Sequence, residues 1–151
     1  MCVSSQRIFV DALVKDAFLA KFTPLVEALK VADPQEKDTD VGPLIHPKEV
    51  TRVHEWVEEA IASGAKCLTG GSALSETAYL PTVLDSPGPD TKISNMEVFG
   101  PVTAVYGFED LDTAIALAND VEWSFQAAVF TQNLKTAEYV TNALDLSLIH
   151  I

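Results

Sequence analysis

The run Val102-Thr103-Ala104-Val105-Tyr106-Gly107-Phe108 limits the possible folds of this chain more than any other stretch. Its β-branched and aromatic side chains suit a pleated surface, and its near-continuous apolar character suits a strand covered on both faces. It therefore reads as the central strand of a sheet. Such a strand needs helices above and below it, and the remainder of the chain has the patterns to supply them.

Gln6 to Val10 is a short β-prone run, and Asp11 after it offers a helix N-cap. Leu13, Ala17, Phe18, Phe22, Leu25, Val26 and Leu29 recur at helical spacing. Pro24 interrupts them, so Thr23 is expected to cap a second helix with Pro24 in its first position. Residues 32–40 are polar and acidic and read as a solvated loop. Pro47 opens a helix with a stripe of Val50, Val53, Val57, Ala60 and Ile61, and Trp56 and three glutamates lie mostly off it. Gly64 is placed to end that helix.

Ala65 to Thr69 reads as a strand with Cys67 as a small buried hydrophobe, and Gly70-Gly71 as a turn. Leu80 to Leu84 is a further strand starting near Pro81, and residues 85–90 form a surface turn. A helix over Asp110 to Asn119, a strand over Gln126 to Thr131 and a last helix capped by Asn133 complete the series. Short strands alternating with helices give an α/β fold, a three-layer, largely parallel sheet with helices on both faces.

Composition narrows the function. With 151 residues, 48% of them apolar, the chain can bury a sizeable core, and no run is apolar over the length of a membrane span. A formal charge of −12 argues against nucleic acid and anionic membranes as partners. Cys2 and Cys67 form neither a disulfide framework nor a zinc spacing, which fits a reducing, cytoplasmic compartment. His46, His54 and His150 show no ligand spacing, so no metal site is expected.

Just before the central run stands Asn95-Met96-Glu97-Val98-Phe99-Gly100-Pro101. In extended backbone, residues i and i+2 share a side, so Glu97 and Phe99 project together. A carboxylate accepts hydrogen bonds from sugar hydroxyls and an aromatic face packs on a flat ring, a pairing suited to a nicotinamide ribose. The same residues also suit an acidic turn ahead of a buried strand, with Phe99 in the core.

Glu97-Val98-Phe99-Gly100-Pro101-Val102 resembles a signature of the aldehyde dehydrogenase superfamily, and Cys2-Val3-Ser4-Ser5-Gln6-Arg7-Ile8-Phe9-Val10 is similar to the segment that opens at that family's nucleophilic cysteine. Val41-Gly42-Pro43-Leu44, Gly64-Ala65-Lys66, Pro81-Thr82-Val83-Leu84 and Ala127-Ala128-Val129-Phe130-Thr131 fall in the family's order. The resemblance runs from residue 2 to about 145. It implies a truncated catalytic domain over residues 1–145 of an NAD- or NADP-dependent oxidoreductase, acting on a small-molecule aldehyde as a homo-oligomer. In that role Cys2 is the catalytic nucleophile, and Glu97 and Phe99 bind the cofactor.

The family's general base and coenzyme-binding domain precede its cysteine, so the chain alone is expected to be inactive. Residues 146–151, Leu-Ser-Leu-Ile-His-Ile, match what a transposon adapter used in DNA library preparation encodes in one frame, and are expected to be a non-native tail, with a genuine closing strand as the alternative. Two other classes stand beside this reading. One is a non-catalytic α/β module that binds a nucleotide or a protein, and the other is a structural piece that works with a complementary chain.

Overall fold

The computed structural model describes residues 4–122 and 124–147, so Cys2 and the last four positions of the expected tail lie outside the described residues. In chain order come β1 (Arg7–Asp11), α1 (Ala12–Glu27), α2 (Pro47–Ala62), β2 (Lys66–Thr69), β3 (Thr82–Asp85), α3 (Lys92–Asn95), β4 (Val102–Phe108), α4 (Leu111–Asn119) and α5 (Leu134–Ala143). The sheet has the order β1-β4-β3-β2. β1 and β3 flank β4 in parallel, and β2 joins β3 antiparallel at the edge. The α/β sheet expected from the sequence, largely parallel and centred on Val102–Phe108, is therefore the one observed.

Alternation along the strands assigns each side chain to a layer. Val102 and Ala104 of β4 and Leu84 of β3 pack with Val50, Val53, Trp56, Val57 and Ala60 of α2. Val105 and Val83, one step along each strand, pack on the other face with Val10 and with Phe18, Leu19, Phe22 and Val26 of α1. One helix thus covers each face. A third cluster joins Ile115 of α4 to Val140, Leu144 and Leu146 around α5.

The caps follow local chemistry. The side chains of Asp11, Asp110 and Asn133 accept from the first free amides of α1, α4 and α5. His46, which carries no such signal in the sequence, does the same for α2 through Nδ1. Gly64 follows α2 at φ 105°, and Gly70 and Gly71 turn at φ 76° and 77°.

Four expectations need correction. Thr23-Pro24 does not start a second helix, since α1 runs through Pro24 to Glu27. Proline sits there in the last turn, where one lost hydrogen bond costs less than breaking the stripe that carries Phe22 and Val26 onto the sheet. The Thr23 hydroxyl, freed from capping, is buried without a hydrogen-bond partner. Trp56 is not off the apolar stripe but buried at 9% exposure. Its ring lies under the Arg52 guanidinium, 4.5 Å from the centroid.

Cys67 is an exposed thiol rather than a core residue, on an edge strand whose register shifts at that point. Burial of part of its surroundings still pushes its pKa up. Gln126–Thr131 forms no strand of the sheet and stays exposed, with Phe130 at 95%. Its short apolar run marks a strand, but among the described residues no sheet edge pairs with it.

Candidate functional site

The site is built on the turn that leads into β4. α3 ends at Asn95, and its C-cap Met96 takes extended backbone, which starts the loop 96–101. Val98 is buried at 1% exposure between Glu97 and Phe99, both of which face solvent. Both side chains are exposed, so the alternative that Phe99 is core does not hold. Phe99 is 53% exposed.

Phe99 also adopts φ 49°, the left-handed region that a bulky side chain avoids. Such a conformation costs about 1–3 kcal/mol and persists only where neighbours over-determine it. Here they do. Gly100 lies so close to α2 that a Cβ would stand 2.9 Å from a Val53 methyl. On the far side, the Val102 amide donates to Gly100 O at 2.8 Å and the Thr82 amide to Pro101 O at 2.8 Å. The backbone after Phe99 is thereby held, and the ring stays half exposed.

Two long side chains from separate elements grip the loop. Gln6 at the entry to β1 donates from Nε2 to Met96 O at 2.7 Å and to Ile93 O at 3.1 Å. Its Oε1 accepts from the Val98 amide at 2.8 Å. Arg52 of α2 donates to Val98 O at 2.7 Å while its Nε pairs with Glu49 at 2.8 Å. The Arg52 guanidinium holds the Glu49 carboxyl below its ordinary pKa. Neither Gln6 nor Arg52 stands out in the sequence, because their partners in the loop are remote along the chain.

Behind the loop, on its sheet side, Ser94 shares its hydroxyl with Tyr106 Oη at 2.8 Å and Thr91 Oγ1 at 3.1 Å. A cavity of about 190 Å³ opens there, lined among others by Arg7, Phe9, Ser94, Asn95, Tyr106 and Asp120. Burial pushes the Tyr106 hydroxyl up and the Arg7 guanidinium down in pKa. Arg7 is spent on structure, since it caps the carbonyls of Leu117 and Ala118 at the end of α4 at 2.9 Å each. Glu97 and Phe99 do not line this cavity. Among the described residues no group of His, Cys, Asp or Glu is placed to hold a metal ion, and no helix is long and apolar enough to cross a membrane.

The sequence profile of the aldehyde dehydrogenase family matches residues 1–151. The chain is 40% identical over 137 residues to 3-sulfolactaldehyde dehydrogenase of Priestia aryabhattai, a match covering 91% of this chain and 28% of that one. It is 34% identical over 152 residues to a probable NADP(+) succinate-semialdehyde dehydrogenase of Synechocystis, covering 99% of this chain and 34% of that one. Among solved structures, aldehyde dehydrogenase 21 of Physcomitrella patens in complex with the reaction product succinate superposes with a TM-score of 0.93 at 31% identity, over 97% of this chain and 30% of that one. Glyceraldehyde-3-phosphate dehydrogenase of Methanocaldococcus jannaschii complexed with NADP superposes at 0.91 with 30% identity, over 97% and 32%. The chain spans 28% to 34% of the length of these relatives.

Proposed function

Because the chain belongs to the aldehyde dehydrogenase family, we propose that it carries the nucleophile and the nicotinamide-positioning loop of an enzyme that oxidises an aldehyde to a carboxylic acid with NAD or NADP. The observation that carries this reading is the outward presentation of Glu97 and Phe99 on either side of buried Val98. A free carboxylate and a half-exposed ring, held on rigid backbone, fit a ribose diol and the flat ring attached to it. NAD or NADP would act as the hydride acceptor.

In this reading Cys2, as thiolate, attacks the aldehyde carbonyl and forms a thiohemiacetal. Loss of hydride from that carbon leaves a thioester on Cys2, and water then releases the acid and the free thiol. Glu97 accepts hydrogen bonds from the ribose hydroxyls, and Phe99 packs beside the nicotinamide. Their task is placement, since a misplacement of about 1 Å at the reacting centre can cost roughly a hundredfold in rate. The free thiol of Cys67 supports the cytoplasmic location included in this proposal.

The test exchanges residues 4–145 of this chain into a full-length relative and compares Glu97→Gln with the parent. The amide keeps the shape and weakens a charge-assisted bond, a loss of about 1.5–3 kcal/mol. Aldehyde-dependent reduction of NAD(P) should fall by tenfold or more, and ester hydrolysis by the relative's own nucleophilic cysteine should stay within about two-fold. Equal loss of both activities with a lowered melting temperature would make Glu97 a folding residue and overturn its cofactor role.

A further inference from the structure

We infer that Gln6 is a positioning residue for Glu97, its side-chain amide gripping both peptide groups that flank the acid. The inference rests on the cofactor role proposed above for Glu97. The two contacts are Nε2 to Met96 O at 2.7 Å and the Val98 amide to Oε1 at 2.8 Å. Met96 O belongs to the peptide group before Glu97, and the Val98 amide to the one after it. A residue of a parallel strand holds its neighbour by the same pattern, through one N–H and one C=O. Gln6 thus acts as a one-residue strand made from a side chain, and it leaves the Glu97 carboxylate free.

The remaining Nε2 hydrogen goes to Ile93 O at 3.1 Å, so both donors of the amide are used. The main chain of the same residue is fixed in the sheet, with Gln6 O accepting from the Ala104 amide at 2.8 Å. Its neighbour Ser5 accepts through its carbonyl from Thr103 Oγ1 at 3.0 Å. Gln6 also stands four positions after Cys2. One residue therefore ties the segment that carries the proposed nucleophile to the loop that carries the proposed ribose ligand. Arg52 still holds Val98 O when Gln6 is removed, so the loop should loosen rather than unfold.

A purely structural role would satisfy loop amides and nothing more, and the two roles separate experimentally. In the chain itself, Gln6→Met keeps the side-chain length and removes its hydrogen bonds. Hydrogen exchange at the Val98 amide should then rise about tenfold or more, while the Ala104 amide, bonded to Gln6 main chain, is unchanged. In the relative carrying residues 4–145, Gln6→Met should lower dehydrogenase activity about tenfold and leave ester hydrolysis within two-fold. Gln6→Glu, which keeps the acceptor and loses both donors, should behave in the same direction and serves if the first variant folds poorly.

The double variant Gln6→Met with Glu97→Gln should be no slower than Glu97→Gln alone, because placement is irrelevant once the grip on the ribose is lost. Multiplicative losses, or parallel loss of both activities with a lowered melting temperature, would overturn the positioning role. Full dehydrogenase activity in Gln6→Met beside an impaired Glu97→Gln would overturn it and leave the Glu97 reading intact. A harmless Glu97→Gln would overturn both.

Discussion

The two faces of the sheet are covered by helices of equal length, 16 residues each, yet they are seated very differently. α2 buries Val50, Val53, Trp56, Val57 and Ala60, while α1 has no fully buried residue. The difference lies in what surrounds each helix. Ala65, Tyr79, Ile93 and Val98 close on α2 from outside the strands. In its own cluster α1 meets strand residues alone, through Phe18, Leu19, Phe22 and Val26, with Phe18 and Phe22 stacked at 5.2 Å. It completes its seat with the stem of Lys15, laid over Gly107 so that the ammonium reaches Asp85 and Ser86. Leu13 at 93% exposure and Leu25 at 69% are apolar residues that this one-sided cover leaves outside. An apolar stripe thus predicts which face of a helix turns inward, and the elements packed around the helix decide how much of it is buried.

The comparison breaks most easily at the strands. Leu84 is wholly buried beneath α2, so Leu84→Ala should cost about 2–5 kcal/mol in urea unfolding of the chain. Phe18→Ala on the α1 face removes a larger side chain but a partly exposed one, and should cost only about 1–2 kcal/mol, well under the figure for a buried phenylalanine. Equal costs would show that both faces are packed alike.

A second change sharpens the contrast in the other direction. Pro24→Ala restores an amide to the last turn of α1, where it can bond to the carbonyl four residues earlier. The gain should be about 1–2 kcal/mol after the entropy of the freer unfolded chain is set against it, read as a rise in melting temperature. A fall would mean that the seat of α1 depends on the proline ring.

The smallest effect belongs to α4, which sits on neither seat and shows what a helix end contributes alone. Hydrogen bonds from the Thr113 hydroxyl and amide hold the Asp110 carboxyl below its ordinary pKa. A depressed carboxyl pKa adds stability that is present above the unfolded value, about 4, and is lost as pH falls through the folded value. Stability measured between about pH 5 and pH 2 should therefore decline less steeply in Asp110→Asn than in the parent. Identical slopes would show that the cap carries no charge-dependent stability.

Much of this fold was legible because its signals are local. Asp11, Asp110 and Asn133 announce their helices through short polar side chains at the right offset, and Gly64 announces an end through its missing Cβ. Pro24 misled because its rule is local while the cost of obeying it, loss of Phe22 and Val26 from the sheet, is not. Gln126–Thr131 misled for the same reason, since a strand pattern specifies an edge but not its partner. In the site, Glu97 and Phe99 were readable as exposed candidates beside a Gly-Pro pair, but their shared side rested on extended backbone that Phe99 at φ 49° does not have. Gln6 was not, because its contacts span 87 to 92 positions and its side chain bonds only to main chain, which leaves no trace in residue type.

The contact between Gly100 and Val53 has a consequence for how this sequence can change over time. A Cβ at position 100 would lie 2.9 Å from a Val53 methyl, so the two positions share one small volume. Alanine at 100 becomes affordable only when 53 shrinks, and a larger residue at 53 is open only while 100 stays glycine. Drift at either site is therefore conditional on the other, although one belongs to a packing helix and the other to a ligand-facing turn. The interior of α2 and the character of the loop 96–101 must be inherited together.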